Sequence, residues 1–212
     1  TMRLLKNAVD RGRFGKIFML NSTVRWNRPQ SYYDSADWRG TKKMDGGAFM
    51  NQASHYVDAL QWLGGPVKSV FAYTDTFNHK IECEDSGAAV LKFSSGAIGT
   101  IEVTMCAYPR NLEGSITIIG EKGAAKVGGI AVNKIELWEF SDYDDDDRLI
   151  YNNNYVPPNI YGYGHYGYFV NVAQTLLGNE SLNIDGAEAR KSLQIITAIY
   201  ESASLKREIV ID

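Results

Sequence analysis

An α+β fold, with an open and predominantly antiparallel β-sheet and helices packed on one face, is predicted for this chain by two observations. Between residues 67 and 140, strand-length segments of alternating polarity follow one another. Several are separated by turns as short as Ser94-Ser95-Gly96 and Gly120-Glu121-Lys122-Gly123, the pattern of a hairpin meander. Segments with helical periodicity flank that run on both sides, which is how an antiparallel sheet acquires a covered face.

In chain order, residues 3–11 are expected to form a helix with Leu4, Leu5 and Ala8 on one side, and residues 17–26 a strand. Residues 27–44 read as a long polar and aromatic loop containing Tyr32, Tyr33, Trp38 and Arg39; loops of this length inside a compact domain are commonly functional. A helix over 46–63 opens on Gly46-Gly47 and stops at Leu63-Gly64-Gly65-Pro66. Strands are then expected at 67–76, 85–93, 97–106, 114–120, 123–127 and 133–140. The acidic run 142–147 reads as a solvated loop, since it has neither the turn glycine nor the following glutamate of a calcium loop. Residues 151–163, rich in Asn, Pro and Tyr, read as another loop. Helices over 164–177 and 185–204 complete the chain, the latter capped by Asp185-Gly186. With helices on one sheet face, the other face is expected to join subunits into a homo-oligomer.

Composition narrows the function classes. The 212 residues include 44% hydrophobic and 22% charged residues with a net charge of −3, the balance of a soluble globular protein and not the basic excess of a nucleic-acid binder. No apolar run approaches a membrane span and no signal peptide is visible, so a cytoplasmic location is expected. Cys83 and Cys106 lack metal-type spacing and read as reduced thiols. The 13 tyrosines exceed what a minimal core needs and suit stacking or hydrogen bonding to a polar ligand such as a sugar. The glycines between 120 and 129 lie between strands, where they make a hairpin turn and not a phosphate cradle.

The stretch that carries chemistry is the Gly-opened helix. Helical spacing places Asn51, His55, Asp58 and Trp62 at i, i+4, i+7 and i+11, one face with polar groups where a buried helix would carry apolar ones. The bland alternative is a core histidine hydrogen-bonded to a neighbour. A metal hydrolase built on His55 and Asp58 would need further ligands that the three histidines do not obviously supply, so no metal is expected.

The order Trp38-Arg39-Gly40-Thr41, Asp45-Gly46-Gly47, Asn51-x3-His55-x2-Asp58, Leu60-x2-Leu63-Gly64, then Asp185-Gly186-x-Glu188-Ala189 and Ile199-Tyr200-Glu201-Ser202-Ala203, resembles the substrate domain of the glucose–fructose oxidoreductase/inositol dehydrogenase family. The resemblance runs from about Leu4 to Ile211. Together with Tyr32-Tyr33, Ala48-Phe49-Met50 and Tyr108-Pro109-x-Asn111-Leu112-Glu113-Gly114, it is similar to the branch that oxidises the C3 hydroxyl of UDP-N-acetylaminouronates for surface polysaccharides. A relative acting on a free sugar or inositol, or a domain that only assembles, are the alternatives.

The resemblance implies residues 1–212 to be a C-terminal substrate-binding and oligomerisation domain of a two-domain dehydrogenase. The nucleotide-binding half, which holds NAD or NADP and supplies a catalytic lysine, is expected outside this stretch. The fragment alone is therefore expected to be inactive. His55 is assigned as the proton acceptor, since a neutral imidazole titrates near working pH. The family's usual aspartate four residues earlier is Asn51 here, and an amide cannot act as a base; Asn51 is assigned to holding the sugar. Asp58 either orients His55 or pairs with a cation. Arg39 and Arg110 are candidates for the carboxylate or diphosphate, with an ordinary surface arginine the alternative for either, and Tyr108 for stacking or hydrogen bonding to the ligand. Gly46 and Gly47 are expected to let a nicotinamide ring approach the backbone. His165, at a helix start after a loop, reads equally as a site residue or a structural one.

Overall fold

The computed structural model describes residues 1–129, 132–152 and 164–211. Most of the expected 151–163 loop lies outside them. Helix α1 (Met2–Asp10) leads into strand β1 (Ile17–Arg25), and a short helix α2 (Gln30–Tyr33) sits inside the long loop. Helix α3 (Ser54–Gly64) precedes strands β2 (Val67–Asp75), β3 (Ser86–Phe93), β4 (Ile98–Thr104), β5 (Glu113–Gly120), β6 (Gly123–Gly128) and β7 (Lys134–Phe140). After a 3-10 helix (Asp145–Asn152) come helices α4 (Gly164–Leu176) and α5 (Gly186–Leu205) and a terminal strand β8 (Ile209–Val210).

The sheet has eight strands in the order β7-β6-β5-β1-β4-β3-β2-β8. The α+β class and the antiparallel hairpins are as the sequence predicts. The meander is interrupted, however: β1 is inserted between β4 and β5, antiparallel to β5 and parallel to β4 (Leu20 opposite Gly99, Val24 opposite Val103). One face is dry. Leu20 and Val24 of β1, Val70 and Ala72 of β2, Leu91 of β3, Ile101 and Val103 of β4 and Ile116 and Ile118 of β5 are buried, in the alternation that a half-covered sheet requires. α1 contributes Leu4, Leu5 and Ala8 to this core, α3 contributes Tyr56, Val57, Leu60 and Leu63, and α5 contributes Ile195, Ile196 and Ile199. Ser202 on α5 accepts a hydrogen bond from the backbone N–H of Ala72 (3.0 Å) and donates to the carbonyl of Arg207 (2.6 Å), which fixes α5 along β2.

The other face is open and mixed. Tyr73, Val90, Ile98 and Ile119 are exposed along it. At one end Glu136, Lys126, Glu113, Arg25 and Glu102 form a ladder of alternating charge across β7, β6, β5, β1 and β4, with Arg25 gripping Glu102 through two bonds of 2.7 and 2.8 Å.

Two expectations are corrected. Of the two C-terminal helices only α5 packs on the sheet; α4 buries Asn171 alone and leaves Tyr166, Phe169 and Leu176 exposed. Asn171 ties α4 to the loop that follows it, donating to Glu180 and to the Ser181 carbonyl and accepting from Asn183 N–H. The acidic run 142–147 is not simply solvated either. Asp147 takes a two-bond grip from the buried Arg13 guanidinium (2.6 and 2.9 Å) and a bond from the Trp138 indole (2.7 Å). Burial alone would raise the Asp147 pKa, but these donors hold it down at about 2.

Candidate functional site

The helix expected over 46–63 begins only at Ser54, and the residues before it form a tight turn with its own anchors. The N–H of Gly47 and that of Met50 donate to the Tyr200 hydroxyl (3.3 and 3.2 Å), that of Ala48 to the Glu84 carbonyl (3.0 Å), and that of Phe49 to Glu84 Oε1 (2.9 Å). Tyr200 donates in turn to Glu84 Oε1 (3.0 Å). Asn51 N–H bonds the Gly47 carbonyl four residues back, but Ala53 N–H reaches Ala48, five back. The ladder slips by one residue between Asn51 and His55, so these two do not stack on one regular helix as the spacing suggested.

Both glycines have local reasons. Gly46 has φ +75, and a Cβ there would collide with Met50. A Cβ on Gly47 would overlap the Glu84 carboxylate, which lies directly against its Cα. The missing side chains therefore make room for the protein's own groups, and all four backbone donors of the turn are already taken. The turn offers no free N–H groups to a cofactor phosphate.

Asp45 closes the turn from the other side, accepting from Gly40 N–H (2.6 Å) and from the Asn51 side-chain amide. Asn51 thus spends its NH2 on Asp45 and keeps its carbonyl oxygen, an acceptor suited to a hydroxyl. His55 is exposed and has no hydrogen bond among the described residues; in particular, Asp58 does not orient it. Trp62 leaves the site altogether, lying under the Lys6 ammonium of α1 at 5.7 Å.

The aromatic loop holds the expected cation. The Arg39 guanidinium lies 4.2 Å from the Tyr32 ring and 4.5 Å from the Trp38 ring, and its Nε donates to Ser35. Arg28, a loop residue to which the sequence reading gave no role, lies 5.3 Å from the Tyr32 ring and 5.2 Å from that of Trp26. Neither arginine has an ion-pair partner among the described residues, and both guanidiniums lie against aromatic rings.

Trp26 continues this row into a cleft of about 680 Å³ lined by Trp26, Asn27, Arg110, Asn111, Glu113 and Glu136. Its wall is firm. Asn27 N–H donates to the Asn111 side chain (2.8 Å), Asn27 Nδ2 to the Ala107 carbonyl (2.6 Å), and Leu112 N–H to the Arg25 carbonyl (2.8 Å). Segment 107–112 is pinned at both ends while Tyr108 and Arg110 project into solvent. Tyr56, next to His55, packs edge-on against Trp26 at 6.0 Å, and burial pushes its phenol up to about 12. Gln52 reaches the Tyr32 hydroxyl at 3.5 Å. Arg39 and Arg28 thus share the Tyr32 ring, Arg28 and Tyr56 share Trp26, and Trp26 lines the same cleft as Arg110.

His79, in the loop between β2 and β3, is buried. Its Nδ1 faces Asp85 (2.9 Å) and its Nε2 the Arg28 carbonyl (2.6 Å). Asp85 also accepts from the backbone N–H groups of Phe77, Asn78 and His79. Burial favours its neutral form, yet these donors hold its pKa down at about 2. Cys106 approaches His79 at 4.0 Å, and the three residues bring potential metal ligands within 4.8 Å. Both His79 nitrogens already have partners, so the cluster is a hydrogen-bonded knot fixing the β2–β3 loop to the residue before Pro29. Cys83 and Cys106 are free thiols, with burial pushing Cys83 up to about 11. His165 is exposed at the start of α4.

Residues 2–126 match the GFO/IDH/MocA C-terminal domain family, and the chain belongs to it. The fold is shared with the WlbA dehydrogenase of Bordetella pertussis, solved with NADH and UDP-GlcNAcA: TM-score 0.96 and 52% identity over 100% of this chain and 61% of that one. The WlbA dehydrogenase of Chromobacterium violaceum, solved with the same two molecules, gives 0.94 and 51% over 99% and 59%. The levoglucosan dehydrogenase of Pseudarthrobacter phenanthrenivorans is 22% identical over 76% of this chain and 47% of its own length. The chain thus spans about half to three fifths of the length of these relatives. Among the described residues no helix is long and apolar enough to cross a membrane.

Proposed function

We propose that this chain is the substrate-binding part of a two-domain NAD-dependent dehydrogenase that oxidises the C3 hydroxyl of a UDP-N-acetylaminouronate for surface polysaccharide synthesis. The observation that carries the reading is the likeness, at 52% identity over all of this chain and 61% of the relative, to a dehydrogenase solved with NADH and UDP-GlcNAcA. The firm cleft and two aromatic-backed guanidiniums suit such a ligand. Arg110 at the cleft, and Arg28 and Arg39 beside it, supply bidentate guanidinium donors to diphosphate or uronate oxygens, and Asn111 a single amide donor group. Tyr108 offers a face for stacking. Asn51 accepts a hydrogen bond from a sugar hydroxyl, and His55, exposed at the start of α3, takes the proton as the alcohol becomes a ketone.

The nicotinamide, held by the nucleotide-binding part of the protein, supplies the hydride acceptor. Of the two glycines, the partly exposed Gly46 is assigned to its neighbourhood, while the buried Gly47 serves the turn. The open sheet face is assigned to contact between copies.

The test is NADH formation from UDP-GlcNAcA by the intact enzyme. His55→Ala should lower kcat by about 10²–10⁴-fold with a smaller change in KM. Asn51→Ala should chiefly raise KM, and Asn51→Asp should give no gain. The 212-residue piece alone should be inactive. Turnover of levoglucosan or inositol with none of the UDP-sugar would reject the reading.

A further inference from the structure

We propose that Glu84, acting with Tyr200, is a positioning residue for the reaction: together they hold the 47–50 turn from behind and so set where Asn51 and His55 meet the substrate. The proposal rests on the assignment of His55 as proton acceptor.

Four observations carry it. The four consecutive backbone donors of the turn all end on these two residues, through one carbonyl, one carboxylate oxygen and one hydroxyl. Glu84 is 8% exposed, and a buried carboxyl is retained only where it has specific partners. Gly47 is shaped to receive it, since any side chain there would occupy the carboxylate's place. The two anchors come from separate elements, the loop before β3 and the middle of α5, so the turn is fixed to the sheet and to the helix layer at once.

The chemistry of the pair suits a clamp rather than a proton donor or acceptor. Burial pushes the Glu84 carboxyl above its usual range, against the lowering effect of Phe49 N–H and the Tyr200 hydroxyl. The Tyr200 phenol is also pushed up, by burial first and by the Glu84 charge second. What the turn needs from Glu84 is therefore an acceptor oxygen at the Oε1 position. A glutamine can supply that oxygen, whereas an alanine cannot. The loss should appear in the chemical step, because a shift of about 1 Å in a reacting group costs about 10²-fold while leaving most substrate contacts in place.

The experiment uses the intact enzyme with NAD and UDP-GlcNAcA, comparing Glu84→Ala, Glu84→Gln, Tyr200→Phe and His55→Ala. We measure kcat and KM per folded enzyme and the isotope effect with substrate deuterated at C3. Glu84→Ala should lower kcat by about 10–100-fold with KM changed less than about threefold, and should raise the isotope effect as hydride transfer becomes limiting. Glu84→Gln should restore kcat to within about threefold of the parent. Tyr200→Phe should lie between them, since its bonds to Gly47 and Met50 are long. A merely structural pair would lower the melting temperature and leave kcat per folded enzyme and the isotope effect unmoved. That result, with His55→Ala still inactive, overturns the proposal and leaves the function standing. If His55→Ala keeps kcat within about twofold, the proton-acceptor assignment fails and the proposal with it. Should Glu84→Ala not fold, Tyr200→Phe decides: an unchanged kcat and isotope effect overturn the proposal.

Discussion

Replacing Gly47 by alanine isolates a steric conflict that the structure defines closely. Gly47 has no left-handed backbone requirement, so the substitution adds one methyl group and little else. That methyl falls on the Glu84 carboxylate, which is buried and cannot swing into solvent without leaving Phe49 N–H and the Tyr200 hydroxyl. Overpacking costs about 1–3 kcal/mol. Stranding the buried Phe49 donor adds about 1–3 kcal/mol. The sum, about 2–6 kcal/mol, should lower the thermal midpoint by roughly 10 °C in a domain of this size. In the Gly47→Ala/Glu84→Ala double variant the carboxylate is gone and the new methyl finds space, so the two costs should fall short of adding by about 1–3 kcal/mol. Urea and thermal unfolding of the intact protein, followed by tryptophan fluorescence and far-UV circular dichroism, measure both quantities. A Gly47→Ala protein within about 0.5 kcal/mol of the parent, or strictly additive costs, would refute the packing argument.

Asp85 should make the β2–β3 loop acid-sensitive. Its folded pKa of about 2 lies below the unfolded value, so it contributes about 2–3 kcal/mol above pH 4, lost as pH falls toward 2; Asp85→Asn should flatten that part of the stability–pH curve. Removing one partner of the buried Arg13–Asp147 pair, as in Asp147→Ala, should cost about 3–5 kcal/mol in a denaturation midpoint, because the guanidinium left behind has Phe140 beneath it and little water around it. Arg25→Ala, in the more exposed ladder, should change stability by less than about 1 kcal/mol, and that change should shrink further in high salt. If the open sheet face joins copies, Tyr73→Glu with Val90→Lys should shift the intact protein to a smaller species in sedimentation velocity, and an unchanged species would place the contact elsewhere.

The sequence by itself determined most of the local structure. Alternating polarity and glycine turns located β2 to β7 to within a residue or two, and the apolar periodicity of 3–11 and the Asp185-Gly186 cap located α1 and α5 as closely, because side-chain period, capping and turn chemistry are local properties. It also pointed to the Gly46-Gly47 stretch and the aromatic loop as candidate site segments, with His55 and the departure at Asn51 within the first of them. Tertiary structure decided the rest. Nothing near residues 17–25 shows that β1 lies between β4 and β5, since strand pairing at that separation depends on how two hairpin stacks close over one helix layer. Nothing near Gly47 shows that its missing side chain makes room for Glu84, or that Tyr200 takes two of its turn's donors; these partners lie 37 and 153 residues away and meet only when α5 docks on β2. The same long-range anchoring shifts the hydrogen-bond ladder by one residue between Asn51 and His55. Helical spacing, a rule about the isolated segment, could place the two residues near each other but not in the orientation that the folded chain imposes.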